Sequence, residues 1–159
     1  MSTSLFKLLV QPCALVALLG VSVQSWAQTT VEEPWVRATV AQQASTGAFM
    51  RITSSTDSKL VAVKSPVAAT VQIHQSSMLN DVMSMKEVPD LALPAGEAVQ
   101  IQPEGYHIML INLKGQINAG DQVPLTLIVE NAKGEQESIQ VNATARALNA
   151  PDHGGMHMH

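Results

Sequence analysis

The chain has 159 residues, a formal net charge of −4 and an aromatic content of 3%. This length is enough for one domain. The chain has no run of Lys or Arg, which argues against nucleic acid and anionic membrane surfaces as partners. The low aromatic content also argues against a surface that stacks on bases or sugars.

The first 27 residues have the layout of a secretory signal peptide. Met1–Lys7 carries one positive charge, and Leu8–Val23 is mostly apolar. Ser25-Trp26-Ala27 then has small residues at the two positions that a signal peptidase recognises. We expect cleavage after Ala27 and export to the periplasm. The alternative is an uncleaved membrane anchor, although the apolar run is shorter than the ~20 residues that a span needs. Cleavage removes Cys13, the only cysteine, and with it any thiolate ligand or disulfide.

Residues 28–148 are predicted to form a single all-β domain. Short runs rich in Val, Ile, Thr and Leu alternate with turns that contain Gly or Pro. Strands of this number and spacing predict a Greek-key β-sandwich or small barrel. Residues 149–159 have a different composition, and we expect a flexible tail there. The predicted strands are Trp35–Val40, Gly47–Thr53, Lys59–Lys64, Thr70–Gln75, Val82–Val88, Ala98–Gln102, Tyr106–Leu113, Pro124–Glu130 and Glu135–Val141.

Histidine and methionine are concentrated in two parts of the chain. Two histidines and four methionines lie between His74 and Met109, and the last seven residues contain three histidines and two methionines. Thioethers combined with imidazoles select Cu(I) over harder ions. Taken singly, however, a methionine is usually a core filler and a strand histidine is usually a surface group. Composition alone therefore leaves a copper site and ordinary packing both open.

Strand periodicity strengthens the copper interpretation. His107 and Met109 are two residues apart on a predicted strand, so their side chains point to the same face, and Met83 and Met85 are related in the same way. His74 lies on the polar face of its own predicted strand. One side of a sheet could therefore collect ligands from three strand segments.

The spacing of these residues resembles a known signature. The pattern H-x10-M-x21-H-x-M resembles that of the periplasmic copper chaperone family called PCu(A)C, and the likeness runs from about Trp35 to Val141. One departure is Gln75, which stands where some members have a methionine directly after the first histidine. The four residues of the pattern are His74, Met85, His107 and Met109, and the similar segments are Ala48–Ile52, Met83–Lys86, Leu91–Gly96 and Glu104–Leu110.

The resemblance implies a cupredoxin-like β-sandwich in which His74, Met85, His107 and Met109 bind one exposed Cu(I). It also implies delivery of copper to the Cu(A) centre of a cytochrome c oxidase, or to a thiol-bearing assembly chaperone that serves it. The tail resembles the His/Met-rich extensions of some members and could hold a second copper, as Cu(II) or Cu(I), through His153, Met156, His157, Met158 and His159.

Three other functions compete with copper delivery. An electron-transfer cupredoxin of the blue-copper type needs a cysteine ligand, which the mature chain lacks. The enzyme motifs G-x-S-x-G and H-E-x-x-H are absent, so we expect neither catalysis nor a small-molecule substrate. Copper buffering or resistance in the periplasm would use the same ligands and stays open. Whether Met78 and Met83 take part in copper binding also stays open. We expect the protein to be a monomer.

Overall fold

The computed structural model describes residues 28–147, and the regular elements of this part are all β-strands. No helix in that range is long and apolar enough to cross a membrane. The predicted signal peptide and the predicted tail lie outside the described residues. The strands are β1 (Thr29–Arg37), β2 (Ser45–Ser54), β3 (Ser58–Lys64), β4 (Ala68–Leu79), β5 (Val82–Val88), β6 (Leu91–Leu93), β7 (Ala98–Ile101), β8 (Tyr106–Leu113), β9 (Gln122–Asn131) and β10 (Gln136–Arg146).

The strands form one continuous sheet in the order β5-β4-β8-β2-β1-β10-β9-β3-β6, with β7 paired to β2 beyond the end of β8. β1 and β10 are parallel, and the other paired strands are antiparallel. Strands that are distant in sequence are therefore neighbours in the sheet. The most important case for the site is β4, which lies between β5 and β8.

A single hydrophobic core lies between the two halves of this sheet. Ile52 of β2 and Ile108 and Leu110 of β8 are fully buried in it. Leu60 of β3 and Leu127 of β9, from the other half, belong to the same cluster. Side chains from both halves share one core because the sheet folds over on itself. The all-β sandwich predicted from the sequence is confirmed.

Several strand bounds differ from the sequence predictions; β10, for example, ends at Arg146 instead of Val141. β1 begins at Thr29 and passes through Pro34, where a register shift in its pairing with β2 accommodates a residue that has no N–H to donate. β6, Leu91–Leu93, was not predicted because a three-residue run before a proline resembles a turn. β4 extends through Leu79, four residues past the predicted end, so His74 lies in the middle of a strand.

The core position of Leu127 gives a test of the fold. Leu127→Ala should lower the free energy of unfolding by about 2–5 kcal/mol, because it removes buried methyl groups and leaves a cavity between the layers. Urea denaturation followed by circular dichroism measures the change. Val82→Ala is the control, since Val82 is 64% exposed and its loss should cost at most about 1 kcal/mol. Equal costs for the two variants would contradict the assigned core.

Candidate metal centre

Three adjacent strands, β5, β4 and β8, carry most of the predicted ligands. His74 of β4 lies directly opposite His107 of β8, and the centroids of the two imidazole rings are 5.8 Å apart. On the other side of β4, Met85 of β5 is the cross-strand partner of Ser76. Because side chains alternate along a strand, His74, Ser76, Met85 and His107 share the outer face of the sheet, opposite the core.

Met85 brings β5 and β8 into contact across the intervening strand. Its Sδ lies 3.3 Å from Nε2 of His107. Since β4 separates β5 from β8, the Met85 side chain must cross over β4 to make this contact. His107 is only 4% exposed although it lies on the outer face, whereas Met85 is 52% exposed. The thioether therefore lies between His107 and the solvent.

Hydrogen bonding determines which nitrogen of His107 is free. Nδ1 of His107 donates to the carbonyl oxygen of Gly105 at 3.2 Å, and the same oxygen accepts the backbone N–H of Ser76 at 3.0 Å. A carbonyl oxygen can only accept, so Nδ1 carries the proton in the neutral ring. Nε2 then presents a lone pair toward the sulfur of Met85.

His74 is oriented by a hydrogen bond at Nε2, whereas His107 is oriented by one at Nδ1. Nε2 of His74 donates to Oε1 of Gln72 at 2.9 Å, and Nδ1 of His74 is buried with no hydrogen-bond partner among residues 28–147. Burial, and to a smaller extent the neighbouring His107, lower the pKa of His74, while Glu87 on the facing strand acts in the other direction. His74 is therefore neutral at physiological pH and has an unused lone pair.

A buried lone pair without a partner costs free energy unless a ligand uses it. The hydroxyl Oγ of Ser76, two residues beyond His74 on the same face, is also buried without a partner in the part of the chain that the structure describes. Bonds of about 2.0 Å to imidazole nitrogen and about 2.3 Å to sulfur, the values for zinc, place two ligand atoms of a tetrahedral site roughly 3.5 Å apart. The 3.3 Å between Nε2 of His107 and Sδ of Met85 is close to that separation.

Met109 lies one row further along the same face. It is two residues from His107, its partner on β4 is Gln72, and its partner on β2 is Gly47. A side chain at Gly47 would collide with Phe49, whose ring atom lies 2.6 Å from the position of an added Cβ. The half-buried Met109 therefore lies beside Gly47, which has no side chain, and the ring of Phe49 packs against Gly47.

The predicted ligands are thus brought together to different degrees. His74, Met85 and His107 form a group of neighbours, and Met109 shares their face. Within residues 28–147, no group of three or more His, Cys, Asp or Glu side chains could hold a metal ion. The group on β4, β5 and β8 has two imidazoles, and its other donors are thioethers. The predicted tail ligands His153, Met156, His157, Met158 and His159 lie outside the described residues.

Sequence reasoning missed the residues that orient the two histidines. Gln72 is two positions before His74, and Gly105 is two positions before His107, so each lies on the same face as the histidine that it contacts. That spacing is visible in the sequence and could have identified Gln72 as a candidate. The role of Gly105 depends on its backbone carbonyl, for which the residue type gives no signal.

Solved structures with the same fold define the class of this domain. The chain is 21% identical to the copper-bound PCuAC domain from PmoF2, with a TM-score of 0.60 over 76% of this chain and 94% of that one. It is 28% identical to Cu(I)-DR1885 from Deinococcus radiodurans, with a TM-score of 0.57 over 79% of this chain and 83% of that one. The fold is that of a PCuAC domain.

The family follows from the sequence match. The family model described as "Putative lipoprotein LpqE-like" matches residues 29–144, and the chain belongs to this LpqE-like family. A relative from Leifsonia xyli subsp. xyli, named "Putative lipoprotein Lxx21020", is 33% identical over 100 residues. The match spans 61% of this chain and 59% of that protein's length. The resemblance to PCuAC proteins is confirmed at the level of the family, and the four-residue spacing stays a prediction.

The hydrogen bonds of the two histidines predict different tautomers in the metal-free protein. His74 should carry its proton on Nε2 and His107 on Nδ1, because each of these nitrogens faces an oxygen acceptor. Long-range ¹H–¹⁵N correlation spectra of the imidazole rings at neutral pH distinguish the two forms. Gln72→Leu should leave His107 unchanged and let His74 populate both tautomers. The same tautomer on both rings of the unsubstituted protein would contradict the geometry.

Proposed function

We propose that this protein is an exported metallochaperone that carries one Cu(I) ion between His74, Met85, His107 and Met109. The contact between Sδ of Met85 and Nε2 of His107 is the observation that carries the proposal. The ring of His74, whose buried Nδ1 has no partner among residues 28–147, lies 5.8 Å from the ring of His107, centroid to centroid. These residues supply three potential donor atoms, which are Sδ of Met85, Nε2 of His107 and Nδ1 of His74. Such a group is suited to an ion of low charge.

The donor set favours Cu(I) over other biological metals. Thioether sulfur is a soft ligand that selects Cu(I), whereas Mg(II) and Ca(II) take oxygen ligands and Zn(II) takes nitrogen, thiolate or oxygen. A thioether needs no deprotonation and cannot be lost to a disulfide. The lowered pKa of His74 reduces competition from protons for the same lone pair. These properties suit an oxidising compartment outside the cytoplasm.

The exposure of the ligands supports ligand exchange as the chemical step. Met85 is 52% exposed and Met109 is half-buried, while His107 is buried beneath them. An incoming thiolate or imidazole of an acceptor can replace a thioether first and the less accessible imidazoles afterwards. Copper keeps its oxidation state in this exchange, and no covalent bond of a substrate changes. The copper is accordingly cargo, and no catalytic activity is proposed.

The relatives support copper and export as features of this family. Two structures that share the fold are described as copper-bound and Cu(I)-bound, and the curated relative is named as a lipoprotein. We propose release into the periplasm after cleavage at Ala27. The alternative is attachment to the membrane, through an uncleaved N-terminal segment or through a lipid on Cys13. Gln11-Pro12 disfavours the lipid because these residues do not resemble a lipobox.

The proposed acceptor is the Cu(A) site of a cytochrome c oxidase subunit or a thiol-bearing chaperone that assembles it. Copper buffering without a dedicated acceptor is the second candidate, and it uses the same ligands.

We also propose a second copper in the tail, bound by His153, Met156, His157, Met158 and His159. The ordering of a flexible segment costs entropy, so this second copper should be held more weakly than the first.

The first functional prediction concerns Met109, whose contact with the ion is inferred from its face alone. Met109→Ile should keep the fold, because swaps between apolar residues of similar volume cost under about 1.5 kcal/mol. It should weaken Cu(I) binding by roughly 100-fold or more, since even residues that only orient a ligand contribute 10–100-fold to metal affinity. Competition with a chromophoric Cu(I) chelator measures the affinity.

Met50→Ile is the matched control, because Met50 is 3% exposed in the core and should not affect copper. A chain without residues 153–159 should lose the copper bound by the tail and keep the affinity of the primary site. Unchanged affinity in Met109→Ile would show that Met109 only packs. Loss of both coppers on removal of the tail would make the tail part of the primary site.

Transfer assays distinguish delivery from buffering. The Cu(I)-loaded protein, mixed with a copper-free Cu(A) domain, should give up its ion faster than the same amount of Cu(I) supplied by a chelator of equal affinity. Direct contact between donor and acceptor avoids release of the ion into solution, which accounts for the difference. The Cu(A) domain reports the transfer through its own absorption once it is oxidised. Transfer no faster than from the chelator would favour buffering.

A further inference from the structure

The hairpin of β4 and β5 projects a pair of methionines beyond the histidines. Asn80 and Asp81 form its two-residue turn, and both have positive φ angles, 51° and 60°. This conformation is the type I′ turn, whose twist matches that of the flanking strands. The turn fixes the register, so that Met78 of β4 lies directly opposite Met83 of β5.

Packing does not account for these two methionines. Met78 is 64% exposed and Met83 is 62% exposed, whereas Met50, an ordinary core filler, is 3% exposed. Side chains that face each other on antiparallel strands have Cβ atoms about 4.5–5.5 Å apart, so two flexible thioethers at these positions can converge on one ion. Exposing both apolar side chains to water costs hydrophobic free energy, and burial does not offset this cost at these two positions.

The methionine pair is continuous with the candidate metal centre. Strand alternation puts Met78 on the same face as His74, and it puts Met83 on the same face as Met85. Met83 and Met85 are two residues apart, which is roughly 7 Å along a strand. Since Met85 already contacts His107, Met83 and Met85 line one face of β5 between the tip of the hairpin and the buried imidazole.

We propose that Met78, Met83 and Met85 form a further Cu(I) site, separate from the tail, which acts as an entry site that loads the ion into the primary centre. The proposal rests on the proposed function, because Met85 belongs to both sites. During loading, the bonds from copper to the sulfurs of Met78 and Met83 break as bonds to the nitrogens of His107 and His74 form. The bond to Met85 is kept, the copper stays Cu(I), and no proton is transferred.

The chemistry of the two sites gives the transfer a direction. The entry site offers only neutral thioethers in contact with water, so its ions exchange rapidly. The primary centre adds two imidazole lone pairs, one of them buried and without a partner. Filling that lone pair removes a cost that the metal-free protein carries, so the ion moves inward. The exposed location of Met78 and Met83 lets a donor reach them before it could reach His107.

Methionine methyl groups report on both sites in one experiment. The full-length protein with ¹³C-labelled methionine methyls is titrated with Cu(I) under nitrogen and followed by NMR. The first equivalent should shift the methyls of Met85 and Met109, and further Cu(I) should shift Met78 and Met83 and move Met85 again. Met156 and Met158 of the tail give separate signals. Unmoved signals for Met78 and Met83 through several equivalents would overturn the entry site.

Failure of the entry site can be separated from failure of the primary centre. If Met85 and Met109 never shift, the proposed function fails, whatever Met78 and Met83 do. If Met78 and Met83 shift while Met85 makes no second move, the thioether pair binds copper without sharing a ligand, and the loading role is overturned.

Loading kinetics provide the second measurement. The double variant Met78→Leu with Met83→Leu keeps the apolar volume and removes both sulfurs. It should slow Cu(I) uptake from a chelator by roughly tenfold, which corresponds to a barrier about 1.4 kcal/mol higher. The equilibrium affinity of the primary centre should not change.

The matched control changes the other face of the same turn. Leu79→Ala with Val82→Ala removes more apolar surface from the tip and no sulfur, and uptake should keep its original rate. Equal rates for the methionine variant and the unsubstituted protein would overturn the proposal. Slower uptake in the alanine control than in the methionine variant would also overturn it, since the tip would then act as an apolar contact surface.

Discussion

The pairing of β4 with β8 is the constraint on which the site depends. Side chains on a strand alternate between two faces, so a slip of one residue would turn His74 from the outer face into the core. The register is fixed by burial on the other face, where Ile73 of β4 lies opposite Ile108 of β8, and both are buried. The same register that buries these isoleucines sets His74 opposite His107. Core packing and ligand placement are two results of one strand alignment.

The candidate centre combines a buried part with an exposed part. The imidazoles are oriented by hydrogen bonds to Gln72 and to the carbonyl of Gly105 on the same face, which leave one lone pair free on each ring. The exposed thioether of Met85 contacts the buried ring of His107. Hydrogen bonds of this kind fix ring orientation and raise the affinity of a metal ligand. An exposed thioether keeps exchange with another protein open, and a carrier needs both properties.

Parts of this arrangement could be predicted from the sequence because they depend on short-range periodicity. The alternation around His107 and Met109 gives their shared face, and β5 and β8 have the bounds that the sequence predicts. The central position of β4 could not be predicted, since it follows from pairing between segments far apart in the chain. For that reason the reach of Met85 across β4 to His107 also lay beyond the sequence.

Other differences have local causes. The extension of β4 to Leu79 was missed because the polar residues Gln75 to Ser77 interrupt the apolar pattern. A strand tolerates such residues where its side chains are only partly buried. The start of β1 was missed because Pro34 normally argues against a strand, and the bulge next to it removes that conflict. The orienting role of Gly105 arises from a backbone oxygen, which no residue pattern encodes.

X-ray absorption of the protein loaded with one equivalent of Cu(I) tests the central claim most directly. The proposed function predicts a copper shell with both nitrogen and sulfur scatterers, the nitrogens showing the outer-shell pattern of imidazole. The sulfur contribution should weaken in Met85→Ile, because that thioether lies against His107. A shell of nitrogen and oxygen alone in the unsubstituted protein would contradict the claim that the methionines bind the ion.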